Sequence, residues 1–271
     1  MPLSDLQRHV LGVLAKHRNP ESYVSGAAPL ARVGPRISDD IDIFHDREEA
    51  IAAAAEQDVR SLEAAGFQVL WHRREPGLHS AVILRDGASM RLEWARDSDF
   101  RFFPAVPDAL FGYVLHVLDI AVNKALAAAG RREPRDIIDL LFIDENELPL
   151  GAVIWAAVGK DPGFTPEGLI DEIRRNARFR QDDYDDLSME QPVDAADVSR
   201  RLRAALDRAE AFVRAMPAGK EGLLFLKDGM AVQPDPARVD DCVAHGGRRR
   251  GHWPSSPELA QAMLERYAPK T

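Results

Sequence analysis

Behind Ser4, the apolar residues Leu6, Val10 and Leu14 recur along one helical face, and the serine is a natural N-cap for that helix. Tyr23-Val24 predicts a short strand. Ala28, Leu30, Ala31 and Val33 predict a small helix with an apolar side, ended by Gly34-Pro35. In DIDIF (40–44) the period falls to two: Ile41 and Ile43 turn towards a core, and Asp40 and Asp42 leave the opposite face together. From 47 to 65, Ile51, Ala55, Val59 and Leu62 share one face of an alanine-rich helix, with Gly66 as its C-cap. Strands are expected over 67–72, 80–84 and 89–95, the last two joined by an Asp86-Gly87 turn. In the third of these, Leu92 and Trp94 share one face and Arg91 and Glu93 the other.

Residues 100–107 read as a loop of aromatics and prolines placed to cover a site on the sheet. A helical run over 108–129 follows, with Leu115, Leu118, Val122 and Leu126 as its stripe and Lys124 off it. Pro134 opens the next helix, on which Asp136 and Asp139 lie about one turn apart and Leu140, Leu141 and Phe142 form the apolar side. The polar stretch 144–149 predicts a boundary between a first domain, 1–146, and a second, 147–271. The second is expected to be mainly helical, with helices near 151–158, 165–177 and 195–215, a hairpin turning at Asp228-Gly229, and a last helix over 257–267. The fold class expected is α+β, a mixed sheet flanked by helices and followed by a mainly helical half.

Composition narrows this picture. With 271 residues and 45% hydrophobic content, the chain has ample material for a buried core. A net charge of −9 excludes a general electrostatic affinity for nucleic acid, so any such contact would use a local basic patch. Arg248, Arg249 and Arg250 beside His252 and Trp253 form one candidate. Cys242 is the single cysteine, so no internal disulfide forms. Its spacing to His245 and His252 matches no common zinc finger. No apolar run is long enough to span a membrane, and no secretory segment is apparent, so a cytoplasmic protein without a membrane partner is expected.

Two carboxylates side by side repel, and a hard divalent ion such as Mg²⁺ or Mn²⁺ is the usual counter-charge for Asp40 and Asp42. Upstream, Ser25-Gly26-Ala27 lets backbone N–H groups approach a ligand at a helix N-terminus, which favours phosphate. A phosphate cradle beside metal carboxylates points to a nucleoside triphosphate (NTP). If the strand of Glu93 lies beside DIDIF, Glu93 either completes the metal site or accepts a proton; otherwise it belongs to a solvated face with Arg91. Lys124 reads either as a point charge for β- or γ-phosphate or as a solvated helix lysine. Arg36 pairs with Asp39 or meets phosphate. Arg131, Arg132 and Arg135 meet phosphate or an acceptor strand, or form a charged turn between helices. The acids of QDDYDDL (181–187) read as a solvated face.

The Gly/Ser turn, the gap and the D-x-D on a strand resemble motif I of the polymerase-β-like nucleotidyltransferases. With Lys124 and RREPRDIIDL (131–140), SDDIDIF resembles more narrowly the AbiEii/AbiGii (MenT-like) toxin family, over about half the chain. The resemblance implies a polymerase-β-like core and transfer of a nucleoside monophosphate from an NTP to an acceptor hydroxyl on RNA, tRNA among the candidates, with a separate antitoxin partner. It implies metal binding by Asp40, Asp42 and Glu93, and phosphate contact through Ser25, Gly26, Ala27, Ser38 and Lys124. It also implies closure of the nucleotide site by Arg135 and Asp136. Relatives carry Gly-Gly or Gly-Ser followed by Thr or Ser where Ser25-Gly26-Ala27 stands here, and more often have Asp at the position of Glu93. Those departures keep open a binding module without turnover, and antibiotic-type nucleotidyltransferases of the same superfamily keep open a small-molecule acceptor.

Overall fold

A computed structural model of the chain describes residues 3–248. The expected patch at Arg249, Arg250, His252 and Trp253 and the expected helix over 257–267 lie outside the described residues. The described chain forms two compact units, one of residues 3–99 with 104–116 and the other of residues 100–103 with 117–248. The division falls at 116/117, because the helix carrying Lys124 packs on helices of the second unit. No helix among the described residues is long and apolar enough to cross a membrane.

The first unit runs α1 (Asp5–Leu14), β1 (Ser22–Ser25), α2 (Ala27–Ala31), β2 (Asp40–His45), α3 (Glu48–Ala64), β3 (Gln68–Glu75), β4 (Leu78–Arg85), β5 (Ala88–Arg96), β6 (Val106–Asp108) and β7 (Gly112–Val114). Ser4 and Gln7 close a capping box on α1. The strands make one seven-stranded sheet in the order β3-β4-β5-β2-β1-β7-β6. It is mixed, since β2 pairs with β5 and β1 with β7 in parallel, while the other neighbours are antiparallel. The alternation read from DIDIF places Ile41 and Ile43 in the core with Leu92 and Trp94, beside Ile51, Ala55 and Leu62 of α3.

That core also encloses a charge. Asp58 on α3 is fully buried and accepts hydrogen bonds from Arg18 Nη2 (2.7 and 2.6 Å) and Trp94 Nε1 (2.8 Å), and pairs with His17 Nδ1 (2.8 Å). Burial pulls the Arg18 guanidinium below its ordinary value, and Asp58 pushes it back up. Val33, expected on a buried side, is 70% exposed because α2 ends at Ala31.

Residues 108–116, expected to open a long helix, form a tight hairpin instead. Asp108 accepts the N–H groups of Leu110 and Phe111 (2.7 and 2.8 Å) and bonds with Arg32 Nη1 (2.6 Å), which fixes the bend. Gly112 has φ 75°, and a Cβ there would stand 2.1 Å from the Ala15 carbonyl oxygen, so only glycine fits.

The second unit comprises α4 (Val117–Gly130), α5 (Pro134–Asn146), α6 (Leu150–Lys160), α7 (Pro166–Asn176), α8 (Gln181–Asp185) and α9 (Ala195–Ala215), then β8 (Leu223–Lys227), β9 (Met230–Val232) and β10 (Val243–Gly246). These strands form a small sheet in the order β10-β8-β9, so the expected hairpin gains a third strand. The stretch expected as a boundary is a capped turn, in which Leu150 N–H donates to Asp144 Oδ1 at 2.7 Å. Phe102 and Phe103, expected to cover a site on the sheet, are wholly buried in this unit. Their N–H groups donate to Asp119 (2.8 and 3.0 Å), whose carboxyl burial pushes up to about 6 although those two bonds oppose it. His245 stacks on Phe103 with ring centroids 4.9 Å apart and bonds the Phe102 carbonyl through Nε2 at 2.8 Å, a packing role distinct from metal ligation.

Candidate active site

Strand geometry alone assembles the acidic face. Asp40, Asp42 and Phe44 alternate with the buried Ile41, Ile43 and His45, so both carboxylates stand half-buried on the face away from the core. In the parallel register Asp40 lies opposite Arg91 and Asp42 opposite Glu93, which brings Glu93 onto the same face. Antiparallel pairing on the other side sets Ser25 opposite Asp42.

The chain leaves β1 through Gly26, at φ 72° and ψ −138°, directly into α2. A Cβ on Gly26 would stand 2.1 Å from Asp42 Oδ2, so the turn is glycine because its backbone lies against that carboxylate. Ser25 is buried, and Ala27 is the first residue of α2. Asp42 is thus flanked by the Gly26 backbone on one neighbouring strand and Glu93 on the other.

Arg91 modifies the simple picture of mutual repulsion. Its Nε and Nη2 donate to the two Asp40 carboxylate oxygens (3.3 and 3.2 Å), and Nη1 lies 3.7 Å from Glu93 Oε1. The Asp40 hydrogen bonds, foremost, and then the charges of Asp40, Glu93 and Asp42 push the guanidinium above its ordinary value. Arg91 is thus shared by Asp40 and Glu93, and the charge of Asp42 also acts on it. Carboxylate oxygens are hard donors, the chemistry that suits Mg²⁺ or Mn²⁺. Among the described residues, no three His, Cys, Asp or Glu side chains converge on a single ion position. In this arrangement Arg91 provides the counter-charge to Asp40 and Glu93.

Other expected site residues have internal partners. The Ser38 hydroxyl donates to the Asp40 carbonyl (2.7 Å), and the Ser38 carbonyl accepts from Gln7 Nε2 (2.6 Å). Ser38 thus ties the loop before β2 to α1. Arg36 is buried, with Nη1 donating to the Ile37 carbonyl at 3.4 Å.

Lys124 and Asp136 belong to the second unit. Lys124, expected off the apolar stripe of its helix, is buried, with Nζ 2.6 Å from Asp139 Oδ2 and 3.4 Å from Asp136 Oδ1. Arg131 clamps Asp136 bidentately from Nε and Nη2 (2.7 and 3.1 Å). Arg135 pairs with Glu133 at 3.5 Å. Two residues of this cluster, Asp139 and Arg131, were assigned no part in it by the sequence reading. The available signal was the one-turn spacing of Asp136 and Asp139, which puts two acids on one helix side and calls for cations.

No family model and no curated protein sequence matches the chain. Among solved structures, it is similar to a Helicobacter pylori protein assigned by inference as a nucleotidyltransferase, at 15% identity and TM-score 0.46, over 77% of this chain and 93% of that one. It is similar to JHP933 from Helicobacter pylori at 15% identity and TM-score 0.46, over 78% of this chain and 95% of that one. It is also similar to Cid1, a protein with RNA terminal uridylyl transferase activity, at 13% identity and TM-score 0.28, over 60% of this chain and 52% of that one.

Proposed function

We propose that the chain is a nucleotidyltransferase that moves a nucleoside monophosphate from an NTP to an acceptor hydroxyl on RNA. The observation that carries this reading is the register of β2 and β5, which sets Asp40, Asp42 and Glu93 on one sheet face with the Gly26 turn against Asp42. Asp40, Asp42 and Glu93 would hold Mg²⁺ or Mn²⁺. The bound ion supplies charge neutralisation to the triphosphate as pyrophosphate departs.

The chain's own residues do the rest. The Ser25-Gly26-Ala27 backbone meets phosphate oxygens beside Asp42. The oxygen of the acceptor hydroxyl bonds to the α-phosphorus in line as the bond from that phosphorus to the α,β-bridging oxygen breaks, its proton passing to Glu93 when the ion rests on Asp40 and Asp42 alone. Pyrophosphate leaves with that electron pair. Arg91, which bonds Asp40 and lies beside Glu93, would meet the triphosphate with its charge once an ion held those carboxylates. Lys124, Asp136 and Arg135 act within the second unit as positioning residues.

The resemblance to the AbiEii/AbiGii family extends the proposal to tRNA as acceptor and to an antitoxin protein as partner. A second reading, a nucleotide-binding module without turnover, draws on the Arg91 bridge across Asp40 and Glu93 and on Ala27 where relatives carry a hydroxyl. Transfer of α-labelled nucleotides to total RNA in Mg²⁺, by the native chain beside Asp42→Ala, separates them. Label on a discrete RNA, lost in the variant, supports transfer. Metal-dependent NTP binding without label from any of the four nucleotides refutes it in favour of the binding module, and label on an aminoglycoside instead selects a small-molecule acceptor.

A further inference from the structure

The second unit holds a cavity of about 770 Å³ in which five of the lining side chains are arginines: Arg132, Arg174, Arg178, Arg180 and Arg203. Asp207 is the one acid in that lining. Such a concentration runs against a chain of net charge −9. Arg174 is already neutralised, since Nη2 donates to Glu210 (2.5 Å) and Asp207 (3.0 Å). Among the described residues the other four have no carboxylate partner. Like charges gathered in a concave wall repel, and an anion that several of them share relieves that repulsion.

The wall is built and held in place. Asn176, at the end of α7, donates through Nδ2 to the carbonyls of Ala128 (3.3 Å) and Ala129 (2.7 Å) on α4. Arg132, in the turn between α4 and α5, donates to the Arg178 carbonyl and stands over the Phe179 ring at 5.4 Å. Phe179 packs edge-on against buried Tyr184, with centroids 5.9 Å apart, so the ring is held in place while the residue stays half-buried. Arg180 N–H donates to Asp183 (2.7 Å), which anchors the far end of the loop to α8.

We infer that this cavity binds a single-stranded RNA segment, with the four unneutralised arginines on successive phosphates and a base stacked on Phe179. The chemistry fits the ligand on both counts. Guanidinium groups bind phosphate oxygens in forked pairs, and an aromatic face held beside them accepts any base. An acidic peptide would satisfy the charge and leave the aromatic face without a function. The inference deepens the proposed transfer to RNA and rests on that reading for the identity of the RNA as acceptor.

The test is direct binding of a labelled single-stranded RNA of mixed sequence to the full chain, without divalent metal or NTP, across a salt series. Arg178→Ala/Arg203→Ala, which removes two exposed side chains, should weaken binding about tenfold and lower the salt slope by about 1.4, the share of two phosphate contacts. Phe179→Leu should weaken binding roughly tenfold with the slope unchanged. Unchanged thermal midpoints check that each variant is folded. RNA binding indifferent to all three substitutions, no RNA binding by the native chain, or preference for an acidic peptide over RNA would overturn the inference. Asp42→Ala separates the two proposals. Arginine-dependent RNA binding in a native chain that transfers nothing defeats the transfer reading alone, whereas transfer unaffected by the arginine substitutions defeats this inference alone.

Discussion

Two clusters of acids and bases face different solvents. On β2 and β5 of the first unit, Asp40, Asp42 and Glu93 share Arg91, and all four side chains are at least partly open to water. In the second unit, Asp136 and Asp139 are matched by Lys124 and Arg131, and the two acids and the lysine are buried. The open cluster leaves its carboxylates within reach of water and of an incoming cation. In the closed one, Lys124 reaches both acids and Arg131 clamps Asp136. Residue types that the sequence groups into one motif set therefore divide by environment, one group partly open to water and the other largely buried.

The largest effect should come from breaking the closed cluster. Lys124→Ala leaves Asp136 and Asp139 buried with one of their two cations removed, and is expected to cost about 3–5 kcal/mol in urea unfolding. Asp40→Ala, at a half-exposed pair, should cost less than about 1 kcal/mol. Equal losses at the two positions would erase the distinction.

A smaller contrast lies within β2 itself. His45 is on the strand's buried face, where desolvation first, and then the charge of Arg18, pulls it from 6.5 to about 3. A depressed histidine is neutral when folded, and it takes up a proton more readily unfolded. Its contribution to stability is present above pH 6.5 and is lost as pH falls from there towards 3. The slope expected from this one group is at most about 1.4 kcal/mol per pH unit. His45→Gln should lack that component, and an identical pH profile in chain and variant would contradict it.

The smallest expected change is at Arg91. Because it competes with a divalent ion for Asp40 and Glu93, Arg91→Ala should tighten Mn²⁺ binding by roughly threefold, measured by titration calorimetry. Weaker binding would mean that the arginine supports the ion site instead of opposing it.

The alternation in DIDIF and in MRLEWA was legible in the sequence, and with it Ile41, Ile43, Leu92 and Trp94 in the core and the shared face of Asp40 and Asp42. The Asp86-Gly87 turn was legible too, both residues adopting positive φ. Other features depend on partners distant in the chain. Nothing in the period of either strand specifies that β2 and β5 run parallel in a register that sets Glu93 beside Asp42. Residues 108–116 carry enough apolar residues to read as helix, and the hairpin follows from Asp108 bonding its own loop and from a glycine at positive φ. The burial of Lys124 was not legible, because its counter-charges, Asp136 and Asp139, come from the next helix. The arginine cavity was only partly legible, since Arg132 and Arg203 are far apart in sequence and come to one cavity through the packing of α4, α5, α7 and α9.

The claim on which the rest depends is that the open carboxylate face is a nucleotidyl-transfer centre. Its most direct test is pyrophosphate release from the four NTPs in the presence of RNA and Mg²⁺, by the native chain beside Asp42→Asn, which keeps the shape of the side chain. The account predicts release that requires the metal and falls by at least about a thousandfold in the variant. Equal release from both proteins, or none from a native chain that binds NTP and metal, would contradict it.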